Sequence, residues 1–143
     1  MNDALVDGFT HHHRTLDEDF EKAKKWAQDG ELRQAIQALR DFREAIERHM
    51  GAEEQRLFPA YESRHGQDNP LTAILRKGHR DLRGFFDEIE ETLEAGDQDE
   101  ATSLMGTVEQ ILHHHDEKEE QEFYPAVAPL IEDAPAVLSA LGG

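Results

Sequence analysis

Four histidines and two glutamates recur in this chain at spacings that chemistry can use. His13 and His79 stand 66 positions apart, and so do His49 and His115. His49 opens a run through Glu53, Glu54, Leu57, Phe58 and Pro59, and His115 opens the same run through Glu119, Glu120, Phe123, Tyr124 and Pro125. The shared pattern is H-x-x-x-E-E-x-x-[LF]-[FY]-P. Imidazole nitrogen and carboxylate oxygen are the donors that hold borderline to hard metal ions, and a doubled set points to a pair of them. The chain has no cysteine, so thiolate sites, iron–sulfur clusters and disulfides are excluded.

A single histidine is ordinarily a surface or a satisfied core residue, and a single His-x-x-x-Glu an ordinary neighbour pair on a helix. Joint agreement of both histidine pairs, both glutamates, both prolines and the turn glycines Gly30 and Gly96 is a different matter. The triplets at residues 11–13 and 113–115 invite comparison with a purification tag. Tags are usually terminal and longer, however, and the last member of each triplet is in phase with the repeat.

Helices must position these residues. Leu32, Ile36, Leu39, Phe42, Ala45 and Ile46 step by three and four, as do Leu104, Met105, Val108, Ile111 and Leu112, and strand-like alternation is missing. Breaks fall at Asp29-Gly30, at residues 65–70 and at Ala95-Gly96-Asp97. Asn69 and Pro70 read as a cap and a first helical residue. Four helices are therefore predicted, over about 8–29, 31–63, 70–95 and 98–132, in one domain. Short connections make neighbours antiparallel, giving an all-α, up-down-up-down four-helix bundle built from a duplicated hairpin. Pro59 and Pro125 predict a kink or a loosened turn. Residues 134–143 read equally as a short capping helix or a frayed tail.

In an antiparallel hairpin, residues equidistant from the turn share a height. Residues 13 and 49 are centred on position 31, and 79 and 115 on position 97, each beside its turn glycine. The four histidines thus fall in one layer, about 25 Å from the tight turns at 1.5 Å per residue. Glu53 and Glu119, at i+4, share the face of His49 and His115. Burying such a layer is costly unless cations neutralise the carboxylates.

The net charge of -17 argues against nucleic acid and anionic membranes as partners. No apolar run approaches the roughly 20 residues of a membrane span. The acidic start lacks the basic and apolar regions of a signal peptide, and a cysteine-free chain fits the cytoplasm.

On these residues the sequence resembles the hemerythrin-like (HHE cation-binding) domain family, over roughly residues 8–130. The resemblance implies an antiparallel four-helix bundle around two non-haem iron ions (Fe2+/Fe3+) bridged by carboxylates and by an oxo or hydroxo group. Its ligands would be His13, His49, Glu53, His79, His115 and Glu119. It further implies binding of dioxygen or a similar small diatomic ligand, for storage, delivery or sensing. Alternatives within the resemblance are an enzyme acting on peroxide or nitric oxide and an iron sensor or store. Oxygen carriers of the family have a further histidine on helix three, where this chain has Leu75; Phe9 is the matching position on helix one. Both irons would then keep open positions. Glu120 competes with Glu119 as the helix-four ligand, but Glu119 lies about 40° and Glu120 about 140° around the helix from His115. Ferritin-like bundles use Glu-x-x-His instead, with more glutamates than histidines.

The remaining residues carry weaker expectations. His12 and His114 are expected to be solvated or at a seam, with a hydrogen bond to a ligand histidine as the alternative, and His11, His65 and His113 on the surface. Tyr61 and Tyr124 are expected to pack at the bundle end with their hydroxyls in water, with donation to a bound oxygen species as the alternative. Leu16, Phe20, Phe42, Ile46, Leu82, Phe86, Val108 and Leu112 are the predicted core.

Overall fold

Helix accounts for every regular element among residues 3–142, which the computed structural model describes, and no strand occurs among them. The elements are α1 (Asp3–Gln28), α2 (Leu32–Ala52), α3 (Phe58–His65), α4 (Pro70–Glu94), α5 (Gln98–Lys118), α6 (Tyr124–Val127) and α7 (Ala134–Ser139). A π-helical turn, Glu53–Leu57, joins α2 to α3, and another, Glu119–Phe123, joins α5 to α6. α1 packs along α2 and α5, and α4 along α5 and α2, so the long helices form a helical bundle.

The turns repeat as the sequence does. Gly30 and Gly96 both adopt φ 79°, where an L side chain would be strained. Each ends its helix alike: Gly30 N–H donates to Ala27 and Glu31 N–H to Trp26, while Gly96 N–H donates to Leu93 and Asp97 N–H to Thr92. Asn69 Oδ1 caps α4 by accepting from the Thr72 N–H at 2.9 Å, ahead of Pro70, and Asp97 caps α5 from the Glu100 N–H.

Three boundaries differ from the sequence reading. α1 starts at Asp3 rather than near residue 8, because Leu5 and Phe9 continue the buried stripe through Gly8. The predicted helices 31–63 and 98–132 are each interrupted by a π turn just before their proline. Proline lacks an N–H and crowds the carbonyl four residues back, and a widened turn accommodates both effects. The N–H groups of Phe58 and Tyr124 accordingly reach back to the Glu53 and Glu119 carbonyls. After Tyr124 the chain passes through a 3₁₀ turn, Ala128–Leu130, to extended Ile131. The tail forms α7, capped by Asp133, whose Leu138 lies against Gly8 of α1 with no room for a Cβ.

The core is divided in two. One cluster, on the tight-turn side, holds all eight predicted core residues, with Phe20, Phe42 and Phe86 in mutual ring contact. The other gathers Leu5, Phe9, Leu57, Phe58, Leu75 and Phe123 beneath α7. The histidine and glutamate layer lies between them.

Candidate metal centre

Each of the six sequence-predicted residues reaches this layer. His13 comes from α1, His49 from α2, His79 from α4 and His115 from α5, while Glu53 and Glu119 open the two π turns. Side chains of His13, His49, Glu53 and Glu119 present one ligand atom each within 4.8 Å of one another, and so do Glu53, His79, His115 and Glu119. The two glutamates are common to both groups and are fully buried.

The second group carries an unusual electrostatic signature. Glu53 Oε1, His79 Nε2, His115 Nε2 and Glu119 Oε2 are all buried and lack a hydrogen-bond partner. They are nonetheless close: His79 Nε2 is 3.0 Å from Glu53 Oε1, and His115 Nε2 is 3.3 Å from Glu119 Oε2. At these distances the atoms are near enough to hydrogen-bond but not aligned to do so, and the four residues can each bring one ligand atom within 4.8 Å of the others. Unpaired buried polar atoms cost about 1–3 kcal/mol each, more when charged, so four from such a group describe a site for a cation. Oxygen and nitrogen donors without sulfur fit an iron ion of the kind the resemblance implies.

Protons balance the layer otherwise. Burial pulls the His79 imidazole down, but the Glu119, Glu53 and Glu54 carboxylates outweigh it and raise it to about 11. His13 is likewise raised well above the ordinary range, burial being overcome by Glu119, Glu120 and Asp116. Burial works against ionised Glu119, but His115, His13 and His79 hold it well below the ordinary carboxylate value.

Outer partners fix the rings. His79 Nδ1 donates to Glu54 Oε2 at 2.6 Å, and His13 Nδ1 to Glu120 Oε2 at 2.7 Å. Glu120 is thus placed behind His13, while Glu119 takes the inner position. Arg83 holds both oxygens of Glu54; the bond from His79 and those from Arg83 together outweigh burial and set its carboxyl at about 2. His49 Nδ1 stands 2.8 Å from His12 Nδ1. Burial, with the neighbouring His49 and His13, lowers His12 to about 4, so His12 is neutral beside the His49 ring. His12 is thus half-buried at the seam of α1 and α2, while His114 is exposed as expected, with His11, His65 and His113. The His115 ring lies over Gly78, where a Cβ would stand 2.5 Å from Nδ1.

Tyr124 corrects the sequence reading. Rather than leading its hydroxyl to water, it is wholly buried. Its oxygen lies 2.5 Å from Glu53 Oε2, 3.1 Å from Glu119 Oε1, 3.1 Å from His13 Nε2 and 3.2 Å from His49 Nε2. Asp116 was also missed: it is buried, with Oδ1 3.3 Å from His13 Nε2. Both break the repeat, since Phe58 matches Tyr124 and Met50 matches Asp116, and that mismatch was the available signal. A cavity of about 10 Å³ adjoins the layer, with Leu16, Ile46, Leu82 and Leu112 on its apolar side. That is about the space of one water molecule.

The model of the family described as hemerythrin HHE cation binding domain matches residues 4–127 of the chain. No curated protein and no solved structure matches it. No helix among the described residues is long and apolar enough to cross a membrane.

Proposed function

The chain belongs to the hemerythrin HHE cation-binding domain family, and from that premise we propose that it is a non-haem di-iron protein that reversibly binds dioxygen or a similar small diatomic ligand. The observation that carries this reading is the set of four unpartnered buried atoms from one donor group, beside a second donor group that shares both glutamates. His13 and His49 would hold one iron, His79 and His115 the other, with Glu53 and Glu119 spanning the pair. Bound as a ferrous pair, the metals would supply the electrons for binding the incoming ligand.

The chain's own groups do the rest. Glu54 and Glu120 accept from the outer ring nitrogens, His12 stands beside that of His49, and all three orient the imidazoles, as outer partners of metal-bound histidines do. Apolar clusters on both sides of the layer exclude water. The scaffold is read as an antiparallel up-down-up-down four-helix bundle; contacts of His13 with His49 and of Phe20 with Phe42 support antiparallel neighbours. The cytoplasmic reading rests on the cysteine-free composition.

Iron content per chain, with absorption spectra taken without oxygen, after oxygen and after its removal, tests the proposal. Two irons and a reversible spectral change are expected. Two irons that oxidise irreversibly transfer the reading to peroxide or nitric oxide chemistry, or to iron sensing. Less than two irons overturns the dinuclear centre.

A further inference from the structure

The two halves of the centre share their histidines and glutamates but not their surroundings. In the first half, every inner donor atom meets the Tyr124 hydroxyl, at 2.5 to 3.2 Å. In the second half, the mirror residue is Phe58, whose ring lies 5.3 Å from His79 much as the Tyr124 ring lies 5.6 Å from His13. The two aromatic rings thus take matching places, and only one bears oxygen. Asp116 places a carboxylate 3.3 Å from His13 Nε2. Its mirror, Met50, places a thioether in the core. Donors that share one small ion at about 2.0–2.2 Å stand about 3 Å apart when they occupy adjacent positions. The Tyr124 oxygen keeps that spacing from His13 Nε2. Leu75 and Phe9, where an added histidine would sit in either half, are apolar and buried and offer neither metal a donor.

We infer that the two metal positions are built unequal: the one held by His13 and His49 takes the Tyr124 oxygen as an additional donor, and the open coordination position falls on the metal held by His79 and His115. This rests on the dinuclear reading above. Its sense is opposite to the inequality that a histidine at Leu75 would give. Ligation converts the phenol to phenolate, and its proton leaves to solvent, as protons do when metals enter such sites.

The test uses the iron-loaded, oxidised protein. A phenolate bound to ferric iron gives a visible charge-transfer band and tyrosinate ring modes in resonance Raman. Both are expected in the wild type and absent from Tyr124→Phe, which keeps two irons per chain; Phe58 shows that phenylalanine fits such a place. A two-iron wild type without tyrosinate modes, or modes that survive Tyr124→Phe, overturns the inference. Chelator competition provides the second readout. Tyr124→Phe should weaken one of two iron-binding steps by roughly ten- to a hundredfold and spare the other. Equal weakening of both steps overturns the inequality. Wild type that never binds a second iron removes the dinuclear reading, and this inference with it.

Discussion

At the scale of the residue, the centre is a competition between metal and protons for the same buried nitrogens. Replacing His49 or His115 by alanine removes a donor from one group, so dinuclear loading is expected to fail in either variant. His65 is exposed and away from the layer, and His65→Ala should load fully. Iron content per chain decides, and a fully loaded His49→Ala protein would sink the ligand assignment. The pH dependence of binding follows from His79. Its metal-free imidazole keeps a proton up to about 11, and only the neutral ring ligates. In the proposed di-iron centre, iron would therefore have to displace that proton throughout the neutral range. Apparent affinity should rise with pH, roughly tenfold per unit for each proton released. Proton release during anaerobic ferrous titration in weak buffer measures the same quantity, and titration without release contradicts the picture.

Elements set where those residues point. A π turn opens at Glu53 and at Glu119, the residues shared by both donor groups. On an uninterrupted helix Tyr124, nine residues beyond His115, would lie about 180° around the axis; one residue's worth of lost rotation brings it to about 80°. The turn therefore carries the phenol toward the centre. Packing between helices is equally specific at Gly78, which leaves space for His115. Gly78→Ala should favour helix formation by about 0.8–1 kcal/mol in isolation, yet its Cβ would meet His115 Nδ1 at 2.5 Å. Lower iron retention is expected, with helical content kept. Iron binding indistinguishable from wild type would show that the His115 ring can move freely.

For the whole molecule, the polar layer between two apolar clusters couples metal to stability. Iron removal should lower Tm, since ligand binding to the native state alone stabilises by mass action. The metal-free protein should also lose stability toward alkaline pH. His79 is raised from 6.5 to about 11 on folding. That contribution is fully present below 6.5 and is lost as pH rises through about 11. In the loaded protein the imidazole is already neutral, so this window should flatten. Thermal melts of both forms between pH 7 and 10 check the difference, and parallel pH profiles would refute it. Charge on the exterior is also unequal between halves. Arg83 bridges Glu47 and Glu54, whereas the mirror of Arg83 is Asp17 and the mirror of Glu47 is His113. Asp17 is half-buried and its carboxyl is raised, chiefly by burial.

The sequence by itself determined the helical class, the repeated turns, the predicted core and the layer in which His13, His49, His79 and His115 meet. These follow from periodicity and from distance to a turn, which are linear properties of a chain. Glu119 could be preferred over Glu120 for the same reason, because helical phase over four residues is nearly invariant. Only tertiary structure decided the roles of Tyr124, Asp116 and His12. Tyr124 depends on a local change of helical phase, Asp116 on its approach to His13 of α1, and His12 on its approach to His49 of α2. Repeat mismatches at positions 58/124 and 50/116 were visible beforehand. Which way those side chains point is set by packing between helices, and no spacing along one helix records that.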